Sequence, residues 1–106
     1  GNDDQIVPIL SLGGLGVISV LSNVAPKYTH EMVQNFFDGN IAEATQMQLD
    51  AIDLVGSLFC EVNPIPVKEA LNMMGYNYGV PRLPLVRLSE KNQENLRTSL
   101  KTFGLI

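Results

Sequence analysis

One short run constrains this chain more than any other: Gly16-Val17-Ile18-Ser19-Val20-Leu21, rich in β-branched residues and almost wholly apolar. Such a run suits a strand buried on both faces, as in a parallel sheet. A strand of that kind needs ladder partners for its backbone N–H and C=O groups. No comparable run occurs elsewhere in the 106 residues. Two solutions follow. Either the chain is an all-helical domain in which these residues are not a strand, or it is one piece of a larger α/β protein.

The remainder reads as helix. Asp3 or Asp4 can cap a short helix to Leu12, with Ile6, Val7, Ile9 and Leu10 as its apolar face and Gly13-Gly14 as its stop. Pro26 suits a first helical position, and Tyr28, Met32, Val33, Phe36 and Phe37 then recur at helical spacing up to Gly39. Asn40-Ile41-Ala42-Glu43 has the form of a capping box. It opens a long helix to Cys60, with Ile41, Ala44, Gln48, Ala51, Ile52, Val55, Leu58 and Phe59 on one side. Asn63-Pro64-Ile65-Pro66 is a rigid connector, and Val67 to Met74 a short helix closed by Gly75. Tyr76 to Leu88, broken by Pro81 and Pro84, has no helical period. Ser89 caps a last helix with the stripe Leu96, Leu100 and Phe103, ended by Gly104. Its acids, Glu90 and Glu94, come early and Arg97 and Lys101 late, as the helix dipole prefers.

Composition excludes several classes. With 45% hydrophobic and 17% charged residues the chain can build a core, so disorder is not expected. It is too short for a complete (β/α)8 barrel, which takes about 250 residues. A net charge of −4 leaves no basic footprint for nucleic acid or an anionic membrane. The single Cys60 excludes an internal disulfide framework and a Cys-rich zinc site, and the single His30 a His-pair site, so no metal or cofactor is expected. A reducing, cytoplasmic setting fits. No basic segment precedes an apolar stretch at the start, so the expectation there is no secretory signal. Gln5 to Pro26 carries no charge, but Pro8, the glycines, Ser19, Ser22 and Asn23 interrupt it, so no membrane span is expected.

Candidate chemistry is sparse. Gly13-Gly14-Leu15-Gly16 lies between a helix and a strand, the reverse of a dinucleotide loop. Asp3 and Asp4 could be paired carboxylates for acid–base work, but a helix cap and a dipole partner account for them more simply. Cys60 reads as buried filler on an apolar face, and His30 as solvated. Lys68 would need desolvation or a cationic neighbour to act as a nucleophile, and Glu69 follows it. Residue chemistry alone completes no active site.

Several segments together carry a resemblance. Gly1-Asn2-Asp3-Asp4, Gly14-Leu15-Gly16-Val17-Ile18-Ser19-Val20, Asn23-Val24-Ala25-Pro26, Asn63-Pro64-Ile65-Pro66-Val67-Lys68 and Arg82-Leu83-Pro84-Leu85 resemble, in order and spacing, the dihydrodipicolinate synthase family. The Gly-Val-Ile-Ser-Val run alone points only to the wider pyruvate-dependent aldolase/lyase superfamily, which includes N-acetylneuraminate lyase. The Asn-Pro-Ile-Pro-Val-Lys and Arg-Leu-Pro-Leu runs favour the synthase branch, and the resemblance covers essentially the whole chain.

The resemblance implies a mostly α chain with one buried strand: the C-terminal portion of a (β/α)8 TIM barrel plus its helical C-terminal extension. Gly1 to Asp3 would end the seventh strand, and Asp4 to Leu12 would be the seventh helix. Val17 to Leu21 would be the eighth strand and Pro26 to Asp38 the eighth helix. The division is then residues 1–39 as barrel end and 40–106 as extension. The partners of the lone strand would lie in an N-terminal barrel segment outside these residues, and part of the hydrophobic content would be surface for that segment to cover.

The implied activity is that of a lyase, condensing pyruvate with aspartate semialdehyde through a Schiff base in lysine and diaminopimelate biosynthesis. The family's Schiff-base lysine and proton-shuttling tyrosine match no position here, nor do its threonine pair, its carboxylate-binding arginine and its lysine-inhibitor site. Lys27 and Lys68 match neither catalytic position. No catalytic residue is therefore expected in this chain, and alone it is expected to be inactive. The substrate-binding positions carried over are Ile18, through its main-chain carbonyl facing pyruvate, Gly1 beside the substrate, and Asp3 at the mouth. Asn2 is uncharged where many members have Asp. Pro8, Ser11 and Leu12 match the helix used between dimers in family tetramers, so a homo-oligomer is expected. Two alternatives remain: another pyruvate-dependent aldolase such as N-acetylneuraminate lyase, or an independent helical binding or scaffolding domain.

Overall fold

Asp3–Gln5 opens the chain as one turn of 3-10 helix and runs into α1 (Ile6–Ser11). The computed structural model describes all residues, 1–106. Helix α1 buries Ile6, Val7 and Leu10 and leaves Ile9 half-exposed. Gly13, at φ +101°, turns the chain out of the helix in the left-handed region that glycine tolerates. The Gly14 N–H then donates to the Ile9 carbonyl at 3.0 Å. The approach is so close that a Cβ on Gly14 would stand 2.9 Å from that oxygen.

Residues 14–19 follow without regular secondary structure, and then come α2 (Leu21–Val24), α3 (Pro26–Phe37) and α4 (Ile41–Leu58). After a connector come α5 (Ile65–Met73), the irregular residues 76–88, and α6 (Glu90–Phe103). The mostly α reading stands. The buried strand at Val17 to Leu21 does not: the chain contains no β-strand. Leu15 and Ile18 are each 91% exposed, and only Leu21, already inside α2, is fully buried. The reason is physical. A strand is defined by its ladder, and this run has no neighbour to bond with. Its last amides are captured instead by a side chain that starts α2, as described below.

The chain divides into two compact units, residues 1–52 and 53–106. In the first, α1 packs on the opening turn and on α3, and α2 packs on α3. Its buried apolar side chains include Ile6, Val7, Leu10, Leu21, Val24, Met32, Ala44 and Ala51. In the second, α5 packs on α6, and Leu54, Leu58, Ile65, Val67, Ala70, Leu88, Leu96 and Leu100 are buried. The Ser89 hydroxyl accepts from the Asn92 N–H, and Gly104 ends α6 in the left-handed region, both as the sequence predicts. Helix α5 starts at Ile65, earlier than expected, because Pro66 fits its first turn. The Asn63–Pro64 and Leu83–Pro84 peptide bonds are cis.

Candidate functional site

Asp3 organises the first unit. It is completely buried. Its Oδ1 accepts the Ser19 hydroxyl at 2.5 Å, and its Oδ2 accepts the Val20 and Leu21 N–H groups, both at 2.9 Å. Those amides open α2 and would otherwise lack partners. A carboxylate is the favoured group at such a helix start, since the dipole there is positive. Ser19 completes the arrangement: its hydroxyl oxygen also accepts the Ser22 N–H at 3.0 Å, while the Ser22 hydroxyl donates to the Ser19 carbonyl at 2.9 Å. Asp3 is thus a helix cap, as the sequence suggests, but of a helix some 18 residues further on.

The backbone of Asp3 is held from the other side. Gln48, on α4 and 5% exposed, donates Nε2 to the Asp3 carbonyl at 2.9 Å and accepts the Val7 N–H on Oε1 at 3.0 Å. Asp3 C=O and Val7 N–H are an i, i+4 pair that would bond directly in an uninterrupted helix. One carboxamide, acceptor at one end and donor at the other, stands between them instead.

These ties bring Gly1 to Asp3 alongside Ser19 to Leu21, so two of the resemblance's site segments meet. Ile18 is exposed, and so is Gly1. Val17 and Ser19 line a cleft of about 250 Å³ with Pro26, Thr29, His30 and Val33. Pro8, Ser11 and Leu12 are all exposed. Asp3, expected among the substrate-binding positions, has no exposed surface and both oxygens engaged, so its carboxylate faces inward. Asp4 is exposed, so the two acids do not form a pair.

Cys60 is exposed, not buried filler, because it lies beyond the end of α4. Partial burial and then the Glu61 charge push its thiol above the ordinary value, which disfavours the nucleophilic thiolate. Lys68 donates to the Val80 carbonyl at 3.3 Å and acts as a loop tie. His30 is exposed at the cleft. No three His, Cys, Asp or Glu residues converge in a metal-holding group. No helix is long and apolar enough to cross a membrane.

The polar ties of the second unit are structural. Arg87 donates Nη2 and Nε to the two oxygens of the buried Glu69 at 2.9 and 3.3 Å. Glu61 Oε2 accepts the Ser89 hydroxyl, the Ser89 N–H and Asn92 Nδ2 at 2.8, 3.2 and 2.7 Å. Asn92 and Ser89 thereby hold the Glu61 carboxyl below the usual range. Ser99 bridges Asp53 and Ser57 at 2.8 and 2.7 Å.

Sequence reading overlooked Ser19 and the function of Gln48. The signal for Gln48 was available: a lone amide on the apolar side of α4 must find partners there.

The dihydrodipicolinate synthetase family matches residues 1–103. The 4-hydroxy-tetrahydrodipicolinate synthase of Caldicellulosiruptor bescii is 57% identical over 105 residues, 99% of this chain and 36% of the relative. The crystal structure of dihydrodipicolinate synthase from Thermotoga maritima superposes with a TM-score of 0.97 at 49% identity, covering 100% of this chain and 36% of that one. The chloride-inhibited dihydrodipicolinate synthase of Acinetobacter baumannii, complexed with pyruvate, gives 0.93 at 40% identity over 100% of this chain and 36% of that one. The chain therefore spans about a third of the length of the relatives it matches. Matched along nearly its whole length, it belongs to the dihydrodipicolinate synthetase family.

Proposed function

We propose that these residues are the C-terminal part of a lyase that condenses pyruvate with aspartate semialdehyde through a Schiff base, in lysine and diaminopimelate biosynthesis. The observation that carries this reading is the family match over residues 1–103 together with 57% identity to a named synthase. The pyruvate complex of the Acinetobacter baumannii relative supports pyruvate as the first substrate. Residues 1–39 form the end of the barrel and 40–106 its helical extension. The Ile18 carbonyl and Gly1 border the pyruvate site, and Pro8, Ser11 and Leu12 belong to a contact between subunits. Their exposure on and just after α1 supports that contact. The protein works in the cytoplasm, where a free, exposed thiol such as Cys60 is at home.

The Schiff-base lysine lies outside these residues, so the chain alone has no aldol activity. Borohydride trapping tests both statements. The full-length protein gains one reduced pyruvate adduct by intact mass, and the 106-residue chain gains none. No adduct on the full-length protein, or a stoichiometric adduct on the chain alone, overturns the corresponding statement. Turnover with sugar-derived aldehydes in place of aspartate semialdehyde would move the assignment to a sialic-acid-type lyase.

A further inference from the structure

We infer that Asp3 is a positioning residue: its buried carboxylate, through Ser19, sets the backbone that offers the Ile18 carbonyl to pyruvate. The inference rests on the reading of Ile18 just proposed, but its content comes from the geometry of the first unit. Asp3 is fully buried and both its oxygens are engaged, so it is not itself a ligand. Its three donors are Ser19 Oγ, Val20 N and Leu21 N, the residues that directly follow Ile18. The Ile18 carbonyl shares a peptide plane with the Ser19 nitrogen. Fixing the Ser19 side chain and the next two amides leaves that plane little freedom to rotate.

The other anchor is Gln48. It holds the Asp3 carbonyl and the Val7 N–H, so the carboxylate is set against α1 and α4 and does not drift with the chain start. The two segments bordering the proposed pyruvate site, Gly1 to Asp3 and Ile18 to Leu21, are therefore tied to each other by one side chain and to the helices by another. A carbonyl that meets a ligand depends steeply on angle, so a small rotation weakens the contact without breaking the fold.

The test uses the full-length protein carrying these residues, with the variants Ser19→Ala, Ser19→Thr and Asp3→Ala. Ser19→Ala removes the hydroxyl tie to Asp3, and with it the acceptor of the Ser22 N–H, and leaves the Asp3 ties to the Val20 and Leu21 amides in place. It should raise KM for pyruvate about tenfold with KM for aspartate semialdehyde unchanged, the pattern of a lost contact to one substrate. The borohydride-trapped adduct should still reach full stoichiometry at saturating pyruvate. Ser19→Thr keeps the hydroxyl and should restore the pyruvate KM. Asp3→Ala should exceed Ser19→Ala in the same direction; where it does not fold by circular dichroism, Ser19→Ala decides. An unchanged pyruvate KM in folded Ser19→Ala, or equal shifts in both KM values, overturns the inference. Absence of any pyruvate adduct on the unsubstituted protein overturns the underlying reading, and the inference with it.

Discussion

Replacing Gln48 by leucine tests how much a single amide contributes to the first unit. Gln48 is 5% exposed and serves two main-chain groups, the Asp3 carbonyl at 2.9 Å and the Val7 N–H at 3.0 Å. Gln48→Leu keeps the volume and removes both partners. A buried backbone group left unpaired costs about 1–3 kcal/mol, so the gross loss is about 2–6 kcal/mol. Leucine is the more apolar side chain and recovers about 1 kcal/mol. Asp3 C=O and Val7 N–H can also close toward the direct helical bond, which recovers about 1 kcal/mol more. The expected net loss is about 2 kcal/mol, the middle of a range of about 0–4 kcal/mol and a large share of a small domain's stability. The assay is urea unfolding of the chain followed by far-ultraviolet circular dichroism, with hydrogen exchange read at the Val7 amide. A change in unfolding free energy below about 0.5 kcal/mol, with Val7 exchanging as slowly as before, would refute the reasoning. Gln48→Glu is a sharper control. Its carboxylate still accepts from Val7 but faces the Asp3 carbonyl without a proton to donate. Its stability should therefore recover as pH falls and the new acid protonates, whereas Gln48→Leu should show no such recovery.

Two further predictions concern the second unit. Asn92 and Ser89 hold Glu61 below its ordinary value of 4.5, so the folded state binds its proton less readily than the unfolded one. The stability it contributes is complete above the ordinary value and is lost as pH falls through the lower, folded one. The urea midpoint should decline between about pH 5 and pH 3, and Glu61→Gln should flatten that decline; an identical slope in the variant would contradict the assignment. Leu100, fully buried on α6, has no exposed flank from which to refill a void. Leu100→Ala should cost about 2–5 kcal/mol in the same unfolding assay, and a loss under about 1 kcal/mol would mean the site collapses freely.

The helices were legible because their signals are local. Ser89, Gly104 and Pro26 mark ends through capping and fixed backbone angles, and the structure uses all three. Leu96 and Leu100 are buried as their spacing predicts. Two things were not legible, for related reasons. The Gly16 to Leu21 run has the residue chemistry of a strand, but strand formation is settled by neighbours, and a run cannot supply its own ladder. Asp3 reads as the cap of the nearest helix because capping is normally judged over three or four residues. Its actual partners, Ser19, Val20 and Leu21, are brought beside it only by the turn at Gly13-Gly14. The motif segments carried the family match, whereas the inward-facing roles of Asp3 and Gln48 needed the fold.

Residues 14–19, which lie between α1 and α2 without regular secondary structure, have a thermodynamic consequence of their own. The path is pinned at one end, where Gly14 bonds to Ile9, and at the other, where Ser19 bonds to Asp3, yet its middle carries no ladder. Ordering a residue's backbone costs about 1–2 kcal/mol in lost entropy. Here that cost is met within the chain, by a glycine contact and a carboxylate, before any strand lies alongside. A pairing strand would meet a segment already anchored at both ends, with Leu15 and Ile18 exposed on it. The same anchoring leaves the segment's own backbone groups open to any extended chain that reaches them.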